Sequence, residues 1–108
     1  MKDGISQVIV NLEAQKDEPT GYHILNRAVF YASRLVSSQK ERDFVKTNYN
    51  DIRRVFSIWV CMGMDENSMA YVHLAKDDLL GSYPWKGRLD LLNIVLIGIA
   101  NELPEHDE

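Results

Sequence analysis

Residues 5–14 limit what this chain can fold into more than any other stretch. Ile5-Ser6-Gln7-Val8-Ile9-Val10-Asn11-Leu12 is an apolar run that closes on Glu13-Ala14-Gln15-Lys16. Rich in β-branched residues and bounded by the polar stretch 16–20, the run predicts a buried strand. Successive side chains on a strand point to opposite faces. Val8, Val10, Leu12 and Ala14 therefore share one face, and Asn11, Glu13 and Gln15 share the other. A carboxylate at the end of an apolar strand is costly unless it binds something, and a metal ion is one such partner.

Downstream the period changes. Residues 16–20 form a loop, with Thr20 placed to cap a helix. Leu25, Ala28, Val29, Ala32, Leu35 and Val36 recur at helical spacing, so a helix is expected over residues 22–38. Residues 37–50 are polar and are expected to hold a short turn of helix. Residues 53–61 read as a second buried strand, residues 63–68 as a turn and residues 69–74 as a third strand. Gly81, Pro84 and Gly87 break residues 76–87 into a loop, where Trp85 is expected to pack back on the domain. Residues 89–103 are apolar nearly all round and read as a buried helix. The expected fold is α/β, a small mixed sheet flanked by helices in the order β-α-β-β-α.

The 108 residues suit one domain, taken as 1–108, with residues 102–108 as an acidic tail. A single cysteine, Cys61, fits a reducing compartment and a core position. No signal pattern is seen after Met1, and no apolar run is long enough to span a bilayer, so the expected location is the cytoplasm with no membrane partner. Of the net charge of −4, residues 1–54 contribute +2 (nine Lys/Arg, seven Asp/Glu) and residues 55–108 contribute −6 (three Lys/Arg, nine Asp/Glu). Most cations thus lie in the half that holds Glu13. His23, His73 and His106 lack zinc-ligand spacing.

The order of strand, Glu13-x-Gln15, loop and a helix opening at Gly21-Tyr22 resembles the PD-(D/E)xK nuclease superfamily. More narrowly, it resembles the family of PD-(D/E)xK transposases and recombination-promoting nucleases. Further stretches carry the resemblance: Tyr22-His23-Ile24-Leu25-Asn26-Arg27, Tyr31-Ala32-Ser33-Arg34-Leu35-Val36-Ser37-Ser38-Gln39, Val55-Phe56-Ser57-Ile58-Trp59-Val60-Cys61-Met62 and residues 91–103. The resemblance implies a partial restriction-endonuclease-like fold and a metal-dependent DNA endonuclease. It implies that Glu13 and the Ala14 carbonyl hold Mg²⁺ or Mn²⁺ and that Gln15, in the usual lysine position, orients water.

The family's first metal-binding Asp has no counterpart here. Asp3 would lie about 33 Å from Glu13 on a straight strand. The cation site is therefore expected to be weak, and a catalytically dead interaction or remnant domain is the alternative. Arg27, Tyr31 and Arg34, at i, i+4 and i+7, lie opposite part of the apolar stripe and are expected to contact DNA phosphates without supporting the fold. A solvated basic face is the competing reading. The apolar segment 89–103 further suggests a homodimer.

Overall fold

A computed structural model describes residues 8–17, 19–40 and 45–101. Its elements are β1 (Val8–Gln15), α1 (Ile24–Ser37), a single turn of 3-10 helix (Tyr49–Asp51), β2 (Arg54–Met64), β3 (Ser68–His73) and β4 (Leu92–Ala100). The four strands form one mixed sheet in the order β1-β2-β4-β3. β1 and β4 run parallel to β2 on either side of it, and β3 pairs antiparallel with β4. The molecule is thus a small mixed α/β fold with, among the described residues, one α-helix. That helix is not long and apolar enough to cross a membrane. Residues 1–7, which include the start of the expected first strand, and the acidic tail lie outside the described residues.

The expected helix over residues 89–103 is instead the strand β4, so the order is β-α-β-β-β and the sheet has four strands rather than three. The physical reason is that both faces of β4 carry apolar side chains, one set toward α1 and the other on the opposite face. β4 is hydrogen-bonded to β2 and β3 and is interior to the sheet. A continuous apolar run does not distinguish such a strand from a buried helix. Ile94, Val95, Ile97 and Ile99 are β-branched, and Gly98 disfavours a helix interior.

α1 covers one face of this sheet. Ala28 and Ala32, one turn apart and fully buried, let its backbone approach closely. They form the core with Trp59, Cys61 and Ile94, and Ile24, Met64, Val72, Leu92 and Leu96 pack around it. Cys61 is a core thiol, as expected. The helix starts at Ile24 rather than residue 22. His23 occupies its N-cap and makes no side-chain cap bond, so Thr20 does not cap it.

Met64 reaches the core because the pairing of β2 with β4 shifts between Met62 and Met64. Gly63, with φ of 74°, supplies that bulge. A non-glycine residue there enters the left-handed region at a cost of roughly 1–2 kcal/mol. Gly63→Ala is therefore expected to lower the unfolding free energy by that amount without changing the fold, read as a lower urea midpoint at unchanged slope. An unchanged midpoint would mean the bulge relaxes freely.

The opposite face of the sheet has no described element on it. Val10 and Leu12 of β1, Phe56, Ile58, Val60 and Met62 of β2, Val95, Ile97 and Ile99 of β4, and Met69 and Tyr71 of β3 all point there. Leu12 is 67% exposed and Met69 is 73% exposed.

Candidate functional site

β1 turns its polar face, not its apolar one, toward α1. Asn11, Glu13 and Gln15 are half-buried there, while Val10, Leu12 and Ala14 are exposed on the other side. The parallel register sets Asn11 beside Ser57 and Glu13 beside Trp59. A chain of hydrogen bonds follows from this placement. The Trp59 indole N–H donates to Ser57 Oγ at 2.8 Å, and the Ser57 hydroxyl donates to Asn11 Oδ1 at 3.0 Å. Asn11 Nδ2 in turn donates to Glu13 Oε2 at 3.2 Å. Ser57 and Trp59 are fully buried, so the carboxylate is oriented from within the core.

Glu13 and Asn11 form one wall of a cleft of about 270 Å³ between β1 and α1. Tyr31, Arg34, Leu35 and Ser38 of the helix side line the rest. No ion pair joins Glu13 to Arg34, so an acid and a guanidinium face the same space without neutralising each other. Arg34 rests over the ring of Phe30 at 5.9 Å from its centroid. Of the residues picked out by sequence, the structure gathers Glu13, Tyr31 and Arg34 here.

Gln15 and Arg27 go elsewhere. Gln15 donates to the Asp17 carbonyl at 3.3 Å, beyond the strand end, and does not line the cleft. Ala14 has its side chain on the open face. Arg27 is not a solvated cation on the polar side of the helix, and it does support the fold. It is half-buried, with its guanidinium 5.4 Å from the Trp59 ring centroid, 5.5 Å from Tyr31 and 5.7 Å from Tyr22. It also donates to the Tyr22 hydroxyl at 2.7 Å. The reason is reach: one turn before Tyr31, its long stem lies along the helix edge onto the indole. Tyr22, Asn26, Arg27, Phe30 and Tyr31 line a shallower groove that adjoins the cleft at Tyr31.

Sequence reasoning missed Ser57 and Trp59 as supports of Glu13. The available signal was a serine and an indole two residues apart on an otherwise apolar strand, but their partner depends on the register with β1. Trp85, expected to pack on the domain, is 74% exposed. Asp3 lies outside the described residues.

Glu13 contributes one carboxylate. Among the described residues, no three His, Cys, Asp or Glu side chains stand together as metal ligands. Hard divalent cations favour six or more oxygen ligands, commonly with several carboxylates. The described donors therefore do not fit a resident divalent cation, and one reaching Glu13 would be held mainly through water.

No protein-family model matches the chain, and neither curated proteins nor solved structures give a significant match. The class defined by the fold is thus a small mixed α/β domain with a polar cleft between its edge strand and its helix.

Proposed function

We propose that this chain is a nuclease-like domain of the PD-(D/E)xK type that binds the phosphodiester backbone of DNA in the cleft between β1 and α1. The observation that carries the reading is the convergence of Glu13, Tyr31 and Arg34 on one cleft, with no ion pair between the acid and the guanidinium. Arg34 is the cation suited to a phosphate oxygen, with the Tyr31 hydroxyl as a second donor. Glu13, oriented through Asn11, is the acid that a water-shelled Mg²⁺ or Mn²⁺ would meet. The adjoining groove adds aromatic faces on which unpaired bases stack. With one carboxylate, the reading is of binding without efficient cutting. The same poverty of carboxylates favours the alternative, a catalytically dead domain that keeps only the binding surface. The lone buried Cys61 fits an intracellular, reducing setting for either.

Arg34→Ala is the direct test. Losing one phosphate contact should weaken DNA binding regardless of sequence and reduce the slope of log K against log salt by about 0.9. Fluorescence anisotropy over a salt series reads both quantities. Glu13→Gln should strengthen binding without metal, by removing a like charge, and should abolish any gain that Mg²⁺ gives the parent chain. Unchanged affinity and slope in Arg34→Ala would remove the cleft as the DNA site. Robust Mg²⁺-dependent cleavage that Glu13→Gln abolishes would make the site an active one.

A further inference from the structure

Two apolar surfaces have no partner among the described residues, and neither belongs to the cleft. One is the open sheet face. The other is residues 74–91, the 18-residue connection between β3 and β4. Connections this long are uncommon in a compact domain and are usually either functional or linker segments. Near the middle of this arm, Leu79 and Leu80 are 94% and 96% exposed, and Tyr83 and Trp85 are 65% and 74% exposed. Exposure that complete means the arm does not lie on its own sheet.

The arm is nevertheless held in shape. Tyr83 and Trp85 meet edge to face with centroids 5.0 Å apart, and the Trp85 amide donates to the Tyr83 carbonyl at 2.8 Å. At its base, Arg88 pairs with Asp90 at 3.1 Å and donates to the Ile52 carbonyl at 3.3 Å. Asp90 also pairs with Arg54 of β2. A shaped arm bearing two leucines, a tyrosine and a tryptophan exposes a cost that only a partner offsets.

We infer that the arm of one copy seats on the open sheet face of a second copy, and that the second arm returns the contact to form a two-fold dimer. The protruding surface and the flat one are both apolar and both borne by the same chain, which is what a reciprocal, closed pairing requires. Area supports closure. Four such side chains offer on the order of 500 Å². One arm on one face would bury roughly 1,000 Å² in total, at the lower margin for a specific interface, whereas the reciprocal pair would bury about 2,000 Å². The interface expected from a helix over residues 89–103 does not exist as such, since that segment holds the strand β4, which contributes Val95, Ile97 and Ile99 to the open face. The reciprocal pairing does not depend on the cleft binding DNA.

The test uses two variants of the full chain, each altered only at exposed positions so that the fold is kept. One removes the arm anchors (Leu79→Ser with Leu80→Ser), and the other charges the face (Leu12→Lys with Met69→Lys). Circular dichroism checks the fold of each. Analytical ultracentrifugation at micromolar concentration should find the parent chain dimeric. Each variant alone should be monomeric, with dissociation constants raised at least about a hundredfold. Mixing the two variants should restore dimer in part, because one intact arm then meets one intact face. A monomeric parent chain at 100 micromolar (roughly the upper end of practical concentrations) would overturn the proposal and leave the face to a different protein. A dimer that survives the arm substitutions would indicate face-to-face packing and overturn it too, as would a mixture that recovers no dimer.

Discussion

Gln39→Ala is expected to destabilise the fold by about 3 kcal/mol, because it removes three hydrogen bonds from a fully buried side chain to partly buried backbone at once. Gln39 is fully buried just past the end of α1. Its amide nitrogen donates to the Leu35 carbonyl at 3.3 Å and to the Arg53 carbonyl at 3.1 Å. Its amide oxygen accepts the Arg53 N–H at 2.8 Å. One side chain therefore closes the last turn of the helix and fastens it to the entry of β2. Alanine removes all three bonds and leaves a hole too polar to collapse. Gln39→Glu should also fail, since a carboxylate can accept the Arg53 N–H but cannot donate to either carbonyl. Urea unfolding at fixed protein concentration measures both, the concentration being held because assembly shifts apparent stability. A loss below about 1 kcal/mol in Gln39→Ala would mean that water takes over the amide's bonds.

That clamp illustrates where reading the sequence stops. Gln39 was visible as part of a stretch resembling a nuclease family, but its partner is the backbone of Arg53, brought to it only by the fold. Patterns carried by a single element were legible. The alternation in β1 sorts Glu13 from Ala14 correctly, and the helical spacing finds the buried side of α1 at Ala28 and Ala32, although Leu25 and Val29 of the same stripe are exposed. It did not reveal that the polar face of β1, rather than the apolar one, turns toward the helix. Periodicity misplaces β4 because a strand with apolar side chains on both faces carries no alternation. Arg27 was misplaced because helical spacing says which side a stem leaves from, not how far a long side chain reaches. Within the cleft, Glu13, Tyr31 and Arg34 could be named. The support from Ser57 through Asn11 could not, since it depends on the register between strands 46 residues apart. Gly81, Pro84 and Gly87 mark the arm as a loop, but the exposure of Leu79, Leu80 and Trp85 runs against their apolar character and follows from nothing local.

Trp59→Ala should have the largest effect of any substitution in this chain, a loss of about 3–5 kcal/mol for truncating a buried tryptophan. Trp59 is 1% exposed and lies in the core with Ala28 and Ala32, whose small side chains cannot refill its volume. The indole also has two polar duties. Its N–H donates to Ser57 Oγ and so starts the chain that ends at Glu13, and its face carries the Arg27 guanidinium. Trp59→Phe separates volume from these duties. It keeps most of the packing and some of the cation–π contact but loses the N–H donor, so a smaller loss of about 1–2 kcal/mol is expected. Arg27→Ala should cost about 0.5–2 kcal/mol through its aromatic contacts. If Arg27 rests on Trp59, the loss in the double variant Arg27→Ala with Trp59→Ala falls short of the sum of the single losses by a measurable coupling. Additive losses would mean that Tyr22 and Tyr31 hold the guanidinium without the indole. The consequence for the cleft is a separate readout. In Trp59→Phe the fold survives, yet Ser57 is free to turn its hydroxyl away from Asn11. The Glu13 carboxylate should then lose its fixed orientation, seen as broadened or shifted side-chain resonances of Asn11 and Glu13 with little change at Arg34.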